Sequence, residues 1–484
     1  MDARRVPIEV QERAAAAQIG GGGNGEGRIA PHMRLPVDYK APSRDAIVAS
    51  IERSPLSFKG KKDFGAIATG PSVFPLALGE ELAELGGSLT VGYRELRSVL
   101  KGGGTKEEQQ KAQAIVTAHV SPDVPTRPQD LSKRDIFIQR PDVVVMSERH
   151  GDGSFTLRAG IAENETRPAG TMIIPTMMDA FGISPEEYLQ TWAEHFHGRP
   201  WAAVLPREWE AYRPELEAFG KAYAERGGEY AGVHLISGMT RDEIDRAIPH
   251  GASVYAFGYT DVFKRDGTLD VVRDLAAKGR TQMYNAPDYH LETKAALTVM
   301  KQPWFIDRVD ERHGGDHAER LTRWLADSYV LSVRPDQDVN WSRLIADRKK
   351  WILKRAGFDA NATESRGLVM PNDPGGEKLF VDTLEAALSG QQGQWVAQEY
   401  MPSRLPQEFY HPDTDEVTVF SGASRLTPMY ANIGGESRML GAMHTVSYGT
   451  SRAHGGSGEK MVPGMAVMSP VVFEELPNVV YSAK

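Results

Sequence analysis

The fold is decided by three consecutive parts of the sequence: the segment Trp351-Ile352-Leu353-Lys354, the loop AGFDANATESRGLV at 356–369 and the segment WVAQEYM at 395–401. The first segment predicts an apolar strand that ends in a lysine, and the last predicts a second strand that ends in polar and aromatic side chains. A glycine-containing loop follows the first strand. The order and spacing favour a ligand-binding unit over the alternative, which is a strand, a loop and an edge strand without a ligand.

Strands and helices alternate along the rest of the chain. A buried strand is predicted at FGAIATG, and further strands are predicted at IFIQRPDVVVMS, SFTLRAGIAE, TMIIP and AGVHLISG. The segment VFPLALGEELAELGG has helical spacing before a glycine stop, and 186–197 and 207–226 also have helical spacing. Such alternation predicts an α/β fold with parallel strands. Residues 1–46 include GGGGNGEG at 20–27 and predict a flexible arm.

The composition excludes several classes of protein. The 484 residues are 40% hydrophobic and 25% charged, with a formal net charge of -9, which argues against nucleic acid or an anionic membrane as the main partner and leaves small polar ligands open. The chain has no cysteine, so disulfides and thiolate sites are excluded. Without a segment of roughly 18 consecutive apolar residues or a signal-peptide core, we expect a cytoplasmic protein. P-loop, serine-hydrolase and zincin motifs are also missing from the sequence.

Polar side chains cluster on two neighbouring predicted strands. The first begins with Arg140-Pro141-Asp142, and the second ends in AENETRPAG at 162–170. Asp142, Glu163 and Asn164 offer the carboxylate and amide oxygens that Mg²⁺ prefers where phosphate oxygens complete its octahedron. Because side chains alternate along a strand, Arg140 shares the face of Asp142 and is suited to neutralise a phosphoryl group. The alternative is a polar hairpin rim with surface charges.

With these motifs the chain resembles the glutathionylspermidine synthase-like, circularly permuted ATP-grasp ligases. Their metal hairpin has the pattern Arg-x-Asp, then Glu-x-Asn, then Pro and a small residue or Gly. The matching residues here are Arg140, Asp142, Asn164, Pro168 and Gly170. Ala162 stands where the pattern has its first glutamate, which leaves Glu163, or else Glu165, as the substitute. The resemblance implies that Asp142, Glu163 and Asn164 bind Mg²⁺ and that Arg140 is catalytic.

The same resemblance implies a nucleotide site in the second half of the chain. The segments GYTDVFKRDG at 258–267 and MYNAPDYHLETKAAL at 283–297 match the stretch whose lysine, here Lys294, opens the nucleotide grasp. A compact ammonium is suited to a phosphate oxygen, although an isolated lysine on a helix is otherwise a solvated surface residue. Lys354 is expected to reach the phosphates, and the loop that ends at Gly367 is expected to close over them.

The segment Gln398-Glu399-Tyr400-Met401 matches the adenine hinge of this family. Backbone groups after Gln398 can meet the adenine edge, Glu399 can accept a hydrogen bond from an amine or a ribose hydroxyl, and Tyr400 or Met401 can cover the ring. In the later segment YANIGGESRML, Arg438 is a further candidate for contact with a phosphate or an acyl phosphate.

The resemblance implies an α/β (α+β) fold, namely a circularly permuted ATP-grasp with an N-terminal pre-ATP-grasp α/β domain. The expected parts are a flexible arm at 1–46, the pre-ATP-grasp and metal-hairpin region at 47–250, a first ATP-grasp lobe at 251–345, and a second lobe with lid loop and hinge at 346–484. It implies an ADP-forming ligase that uses ATP and Mg²⁺ to join a small-molecule carboxylate to an amine. The alternatives are a nucleotide-binding or scaffold protein without ligase activity, and an ATP-dependent phosphotransferase.

Overall fold

The computed structural model describes residues 29–54, 66–120, 138–196, 198–277, 279–285, 288–332, 341–356, 367–411, 414, 416–433, 435–449 and 465–482. The strands of this part of the chain are β1 Ala66–Ala68, β2 Ser72–Pro75, β3 Ile138–Arg149, β4 Phe155–Glu165, β5 Pro200–Leu205, β6 Glu229–Leu235, β7 Ser253–Ala256, β8 Gln282–Tyr284, β9 Ser328–Val330, β10 Trp351–Arg355, β11 Leu368–Val369, β12 Trp395–Glu399, β13 Leu405–Tyr410, β14 Val417–Ile433, β15 Glu436–Ser447, β16 Ala466–Glu474 and β17 Val479–Tyr481.

The helices of the same residues are α1 Arg44–Arg53, α2 Leu76–Ser98, α3 Lys106–Val116, α4 Ile173–Ala180, α5 Glu186–Phe196, α6 Arg213–Glu225, α7 Arg241–Ala247, α8 Thr260–Arg265, α9 Leu269–Ala277, α10 Tyr289–Glu292, α11 Ala295–Met300, α12 Pro303–His313, α13 Gly315–Trp324, α14 Trp341–Ala346 and α15 Gly376–Leu388. Short 3₁₀ helices lie at Pro31–Met33, Arg207–Tyr212 and Arg348–Lys350, and a π-helical turn lies at Val99–Gly103. None of the helices that the structure describes has the length and apolar character needed to cross a bilayer.

The largest sheet of the described residues has nine strands. Its order is β13-β1-β16-β15-β14-β3-β4-β17, with β2 beside β16, and β13 also pairs with β14, so five of the strands close into a ring. Helix α2 covers one face of this sheet, because Leu78, Leu82, Leu85 and Leu89 recur at helical spacing and are fully buried. The strands β3 and β4 belong to this sheet, and their apolar side chains pack in the core beneath α2.

Two smaller sheets flank this centre. In the sheet of order β6-β5-β7-β8 all strands run parallel and helices connect them, as the α/β prediction requires. The sheet of order β11-β10-β12-β9 is antiparallel, and its apolar side chains Leu353 and Ala397 pack with Phe380 and Leu384 of α15. The opposite face of β10 and β12 is thereby left to contact the hairpin.

Tertiary packing overrode the local pattern at two places. The segment TMIIP, predicted as a strand, contributes to helix α4. At the N-terminus of this helix the Thr171 hydroxyl donates to buried Glu215 at 2.9 Å, and the Met172 N–H donates to the same carboxylate at 3.3 Å. A short apolar run does not by itself distinguish a buried strand from a buried helix. The predicted glycine stop is also wrong, because α2 continues past Gly86 to Ser98. A Cβ at Gly86 would lie 2.3 Å from the ring of Tyr430.

The predicted flexible arm is wrong for residues 29–46, while residues 1–28 lie outside the described residues. Ile29 and Met33 are buried in the core beneath α2. The His32 Nε2 donates to the Leu440 carbonyl at 2.7 Å, and the Tyr39 hydroxyl donates to a carbonyl of the segment after α4. This segment is therefore an ordered part of the fold.

Candidate active site

The β3–β4 hairpin carries a row of charged side chains on one face. Arg140 lies opposite Glu165, and Asp142 lies opposite Glu163. Directly opposed residues of an antiparallel pair share a face, and residues two apart on a strand do so as well. All four charged side chains therefore project from the same side of the sheet. The other side packs apolar residues beneath α2.

A β-bulge determines which residues of β4 project from this face. Val143 pairs with Ile161, but the next pair joins Asp142 to Glu163, so Ala162 is the extra residue. An extra residue in one strand shifts the alternation of side chains by one position. After the bulge, β4 therefore presents Glu163 and Glu165 on the charged face, where strict alternation would have placed Asn164.

Asn164 consequently lies on the face opposite Asp142, and its prediction as a metal ligand is wrong. The Asn164 Nδ2 donates to Gln139 Oε1 at 3.3 Å, and the Gln139 amide donates in turn to a backbone carbonyl of α2. Strict alternation from buried Ile161 would have turned Asn164 toward Asp142. The bulge turns Glu165 there instead, so both Glu163 and Glu165 lie on the face of Asp142.

Each carboxylate on this face is held by a cation. The ion pairs are Arg425 with Asp142 at 2.5 Å, Lys294 with Glu163 at 2.9 Å, and Arg140 with Glu165 at 2.8 Å. The Arg140 Nη1 also donates to the Ala169 carbonyl, and Gly170 lets the chain pass this guanidinium because a Cβ there would lie 2.8 Å from Nη1. The charged face is thus neutralised from within the chain.

Burial and charge act in opposite directions on these carboxyl groups. Burial would raise the pKa of Asp142, but Arg425 and Arg140 outweigh it and hold that pKa below its ordinary value. For Glu165, burial prevails over the attraction of Arg140, and the pKa is raised. Asp142 is therefore held in its charged form more firmly than Glu165.

Two side chains from the neighbouring sheet meet the hairpin at the bulge. The Lys354 Nζ donates to the Ala162 carbonyl at 2.9 Å, and the Gln398 Nε2 donates to the same oxygen at 3.1 Å. They share a face because Gln398 lies opposite Ile352, two residues before Lys354 on β10. Burial lowers the pKa of Lys354 to about 8. A half-buried lysine beside two carboxylates, Glu163 and Asp142, is the kind of group that meets phosphate.

The predicted adenine hinge begins at the end of β12. The Glu399 N–H donates to the Asp327 carbonyl at 2.8 Å, and the Tyr400 N–H donates to the Lys350 carbonyl at 2.7 Å. These two donors are thus engaged within the protein, so an adenine edge would have to meet the backbone groups beside them. Burial raises the pKa of the Tyr400 hydroxyl, and Met401 is itself buried.

Gly367 and Arg438 lie at the periphery of the site. The Gly367 carbonyl accepts from the Arg355 N–H at 2.7 Å, where β11 begins, but the rest of the predicted lid, 357–366, lies outside the described residues. The Arg438 side chain is 51% exposed and lies 3.8 Å from Glu436. This exposed position gives no support to a phosphate contact by Arg438.

Asn285 ties the parallel sheet to the charged hairpin. Its Nδ2 donates to the Ile138 carbonyl at 2.6 Å and also to the Thr166 carbonyl, while its Oδ1 accepts from the Ile138 N–H at 3.3 Å. The residue is buried and has a φ of 44°, a left-handed conformation that asparagine tolerates. It therefore clamps the start of β3 and the end of β4 together.

The donor set suits Mg²⁺, although it does not form a ready-made cage. Asp142, Glu163 and Glu165 supply hard oxygen ligands from one face. The buried Asp142 Oδ1 has no hydrogen-bond partner within the part of the chain that the structure describes. Among the same residues, no three acidic or histidine groups are gathered closely enough to hold a metal ion. A cation at this face would need further ligands, such as phosphate oxygens.

Sequence reasoning missed Arg425. It lies on β14 next to Leu426, which pairs with Val143 of β3. No motif surrounds it, but a lone arginine within the otherwise apolar and small run SGASRLTPMY is the signal that could have drawn attention to it. A charged side chain on a buried strand needs a partner, and here that partner is Asp142.

Comparison with known proteins identifies the fold. Neither a family model nor a curated protein matches this chain. A glutathione synthetase like-effector from Globodera pallida, in its apo form, matches with a TM-score of 0.51 and 13% identity over 91% of this chain and 100% of its own. A candidate gamma-glutamylcysteine synthetase from Methylobacillus flagellatus KT matches with a TM-score of 0.33 and 9% identity over 78% of this chain and 87% of its own, too low a score to establish a common fold. The chain thus has an α/β fold similar to that of a glutathione synthetase-like protein.

Proposed function

We propose that this chain is an ATP-dependent ligase that joins a small-molecule carboxylate to an amine, through an acyl phosphate and with release of ADP. The observation that carries the proposal is the meeting of Lys354 and Gln398 with the hairpin at the Ala162 carbonyl. It brings candidate phosphate-binding groups of one sheet beside the carboxylates and arginines of another. The fold similarity to a glutathione synthetase-like protein supports the proposal.

The nucleotide lies, in this proposal, between the antiparallel sheet and the charged face of the hairpin. Lys294 and Lys354 contact the phosphates, and the segment from Gln398 to Met401 holds the base. The segment order is that of a circularly permuted ATP-grasp, with lobes at 251–345 and 346–484 that follow the α/β region at 47–250. The two sheets then bring the phosphates to the face from which Arg140 projects.

Asp142, Glu163 and Glu165 are the residues that would hold Mg²⁺, which supplies charge neutralisation to phosphate oxygens when bound. Arg140 and Arg425 lie beside these carboxylates and stabilise negative charge on the transferred phosphoryl group and on the substrate carboxylate. Capture of the acyl phosphate by the amine then forms the amide and leaves inorganic phosphate. The acid and the amine bind on the side of the parallel sheet, toward which Asn285 anchors the hairpin.

The bulge weakens the main argument for a protein that keeps the fold without activity. That argument came from Ala162, which occupies the position of a metal-binding glutamate in the family pattern. Glu163 and Glu165 project from the charged face after the bulge, so the carboxylates are not lost. Phosphotransfer to a hydroxyl would use the same nucleotide site and would differ in its acceptor and product.

Isotope transfer tests the reaction class. Candidate acids labelled with ¹⁸O in the carboxylate are incubated with ATP, Mg²⁺ and amines, and we expect label in inorganic phosphate with the correct acid. Transfer should require Mg²⁺ and should be lost in Arg140→Ala. Formation of AMP and pyrophosphate would show adenylation instead, and ATP turnover without label transfer would favour phosphotransfer or hydrolysis.

Nucleotide binding tests the site itself. We expect Lys354→Ala to weaken binding of a non-hydrolysable ATP analogue by about tenfold or more, since a charge-assisted hydrogen bond contributes about 1.5–3 kcal/mol. Lys349→Ala is the matched control, because Lys349 lies five positions earlier and its side chain is 68% exposed. Unchanged affinity in a folded Lys354→Ala protein would contradict the assignment.

A further inference from the structure

We infer that Thr293 is a positioning residue, which fixes the spacing between Lys294 and Lys354, the two lysines proposed to contact the phosphates. This inference rests on the proposed function. It concerns the geometry that prepares the site before a nucleotide binds. It follows from the contacts that three consecutive residues, 292–294, make with three different parts of the fold.

Glu292 anchors the start of this segment. Its side chain is 5% exposed and forms an ion pair with Arg167, which follows strand β4 and is 4% exposed. The same carboxylate accepts a hydrogen bond from the Thr260 N–H at 3.0 Å, where helix α8 begins after β7. The hairpin and the parallel sheet therefore both hold the segment, so a contact made by its next residue is transmitted to Lys294 and is not lost in motion of the segment.

Thr293 joins the segment to the antiparallel sheet. The residue is 2% exposed, and its hydroxyl group has two acceptors, Gln394 Oε1 at 2.7 Å and the Ala356 carbonyl at 2.9 Å. Ala356 directly follows β10, and Gln394 directly precedes β12. The Gln394 side chain is itself held, because its Nε2 donates to the last two carbonyls of helix α3 at 3.2 Å and 3.1 Å. Thr293 therefore contacts fixed acceptors at the end of the strand that carries Lys354.

The two lysines close this set of contacts at the hairpin. The Lys294 ammonium reaches Glu163 at 2.9 Å, and the Lys354 ammonium reaches the carbonyl of the residue before it on β4, also at 2.9 Å. Burial is the main cause that lowers the pKa of Lys354 to about 8, and the charge of Lys294 acts in the same direction, so the two ammonium groups lie close together. Their spacing is thus set at one end by β4 and at the other by Thr293.

A fixed spacing of the two lysines favours binding of a triphosphate. Two like charges repel, which favours separation of Lys294 from Lys354 in the ligand-free protein, and the Thr293 hydroxyl opposes that separation. A binding group that is already held in place loses less conformational freedom when the ligand arrives. The hydroxyl therefore contributes to nucleotide affinity without contacting the nucleotide.

Calorimetry with the full chain and a non-hydrolysable ATP analogue measures this contribution. Thr293→Val keeps the shape of the side chain and removes the hydroxyl, and we expect it to weaken analogue binding by about tenfold. Thr293→Ser keeps the hydroxyl and should bind the analogue as tightly as the wild type. Thr281→Val is the matched control, because the Thr281 hydroxyl is also buried and donates to the Leu275 carbonyl at 3.1 Å, at the amino end of β8. We expect this control to be less stable but to have unchanged affinity.

A double-mutant cycle separates positioning from a general structural role. If Thr293 acts through Lys294, the loss of its hydroxyl cannot matter where the ammonium is already missing. We therefore expect Thr293→Val to weaken analogue binding by about tenfold in the wild type but by less than about twofold in Lys294→Ala. A general loss of structure would weaken binding by the same factor in both backgrounds. Thr293→Ala is the second variant in case Thr293→Val does not fold, with circular dichroism as the check.

The outcomes distinguish this inference from the proposed function. If the analogue binds and Lys294→Ala weakens its binding, but a folded Thr293→Val protein binds it normally, the inference is overturned and the nucleotide site stands. Equal losses from Thr293→Val in both backgrounds would also overturn the inference and leave the site in place. If the analogue does not bind to the wild type, the proposed function fails together with the inference.

Discussion

The β3–β4 hairpin and the β10–β12 pair bring charged side chains to the same place, but they differ in regularity. The β10–β12 pairing continues without a break from Trp351 to Arg355, so Lys354 and Gln398 fall on one face as alternation requires. The hairpin shifts register at Ala162, and every side chain after it changes sides. The comparison teaches that a sequence motif locates a site, while the continuity of the pairing decides which residues face it.

The hairpin provides the largest expected effect. We expect Glu165→Ala to weaken nucleotide-dependent Mn²⁺ binding by at least about 100-fold, because even partners of metal ligands contribute about 10–100-fold. Asn164→Ala should leave Mn²⁺ binding nearly unchanged and lower the free energy of unfolding by about 1 kcal/mol, through the lost hydrogen bond to Gln139. Paramagnetic resonance and urea unfolding measure the two quantities. If Asn164→Ala weakened Mn²⁺ binding more than Glu165→Ala did, β4 would have no bulge.

The sequence predicted the elements of the site better than their faces. The strands at 138–149, 351–355 and 395–399 follow from apolar runs, and the positions of Asp142, Lys354 and Gln398 follow from the family pattern. The bulge could not be predicted, because Ala162 is a small residue that fits either a regular strand or an extra position. Its carbonyl meets donors that lie about 190 or more positions away in the sequence.

Long-range packing also explains what local patterns missed elsewhere. Glycine pairs often end helices, but Gly86 lies within α2 because only a residue without Cβ fits against Tyr430. Arg425 was missed because its partner, Asp142, lies 283 positions earlier. In both cases the residue type is explained by one contact with a distant strand.

The adjacent glycines Gly86 and Gly87 of α2 offer a matched test of this explanation. We expect Gly86→Ala to lower the free energy of unfolding by about 1–3 kcal/mol, since the new Cβ would lie 2.3 Å from the Tyr430 ring. Gly87→Ala should raise it by about 0.5–1 kcal/mol, because the nearest atom lies 3.9 Å away and alanine favours a helix. Urea unfolding measures both. Equal effects would mean that helix propensity, and not packing, determines these positions.

Two substitutions of Asn285 separate the effect of its hydrogen bonds to the hairpin from the effect of its left-handed backbone conformation. Asn285→Gly and Asn285→Ala both remove the hydrogen bonds to Ile138, and we expect both to weaken nucleotide-dependent Mn²⁺ binding by about tenfold. The alanine variant should be less stable than the glycine variant by about 1–2 kcal/mol, because the φ of 44° suits glycine better. If the glycine variant binds Mn²⁺ normally, Asn285 does not position the hairpin.

The smallest expected effect concerns pH, and it applies to the regular β10–β12 side of the comparison. Burial lowers the pKa of Lys354 to about 8, so in the nucleotide-free protein this side chain is charged below about pH 8 and neutral above it. A triphosphate needs the charged form. We therefore expect the affinity for a non-hydrolysable ATP analogue to be constant below about pH 8 and to fall by up to about tenfold per pH unit above it. Calorimetry between roughly pH 6.5 and pH 9.5 measures this, and Lys354→Arg, which stays charged, should show no such fall.

The lowered pKa of Lys354 also affects the free energy of unfolding, and the pH dependence of that free energy tests whether burial lowers the pKa. The folded pKa of Lys354 lies at about 8 and the ordinary value is 10.5, so between these pH values the unfolded chain holds the proton more firmly. Stability rises with pH wherever the unfolded state binds more protons, so Lys354 should make the free energy of unfolding increase with pH across this window. Lys354→Met removes the titrating group, and the difference between wild type and variant isolates its contribution from those of other lysines and tyrosines. A difference that stays flat with pH would show that Lys354 is solvated in the ligand-free protein, and the bulge carbonyl would then not be its partner.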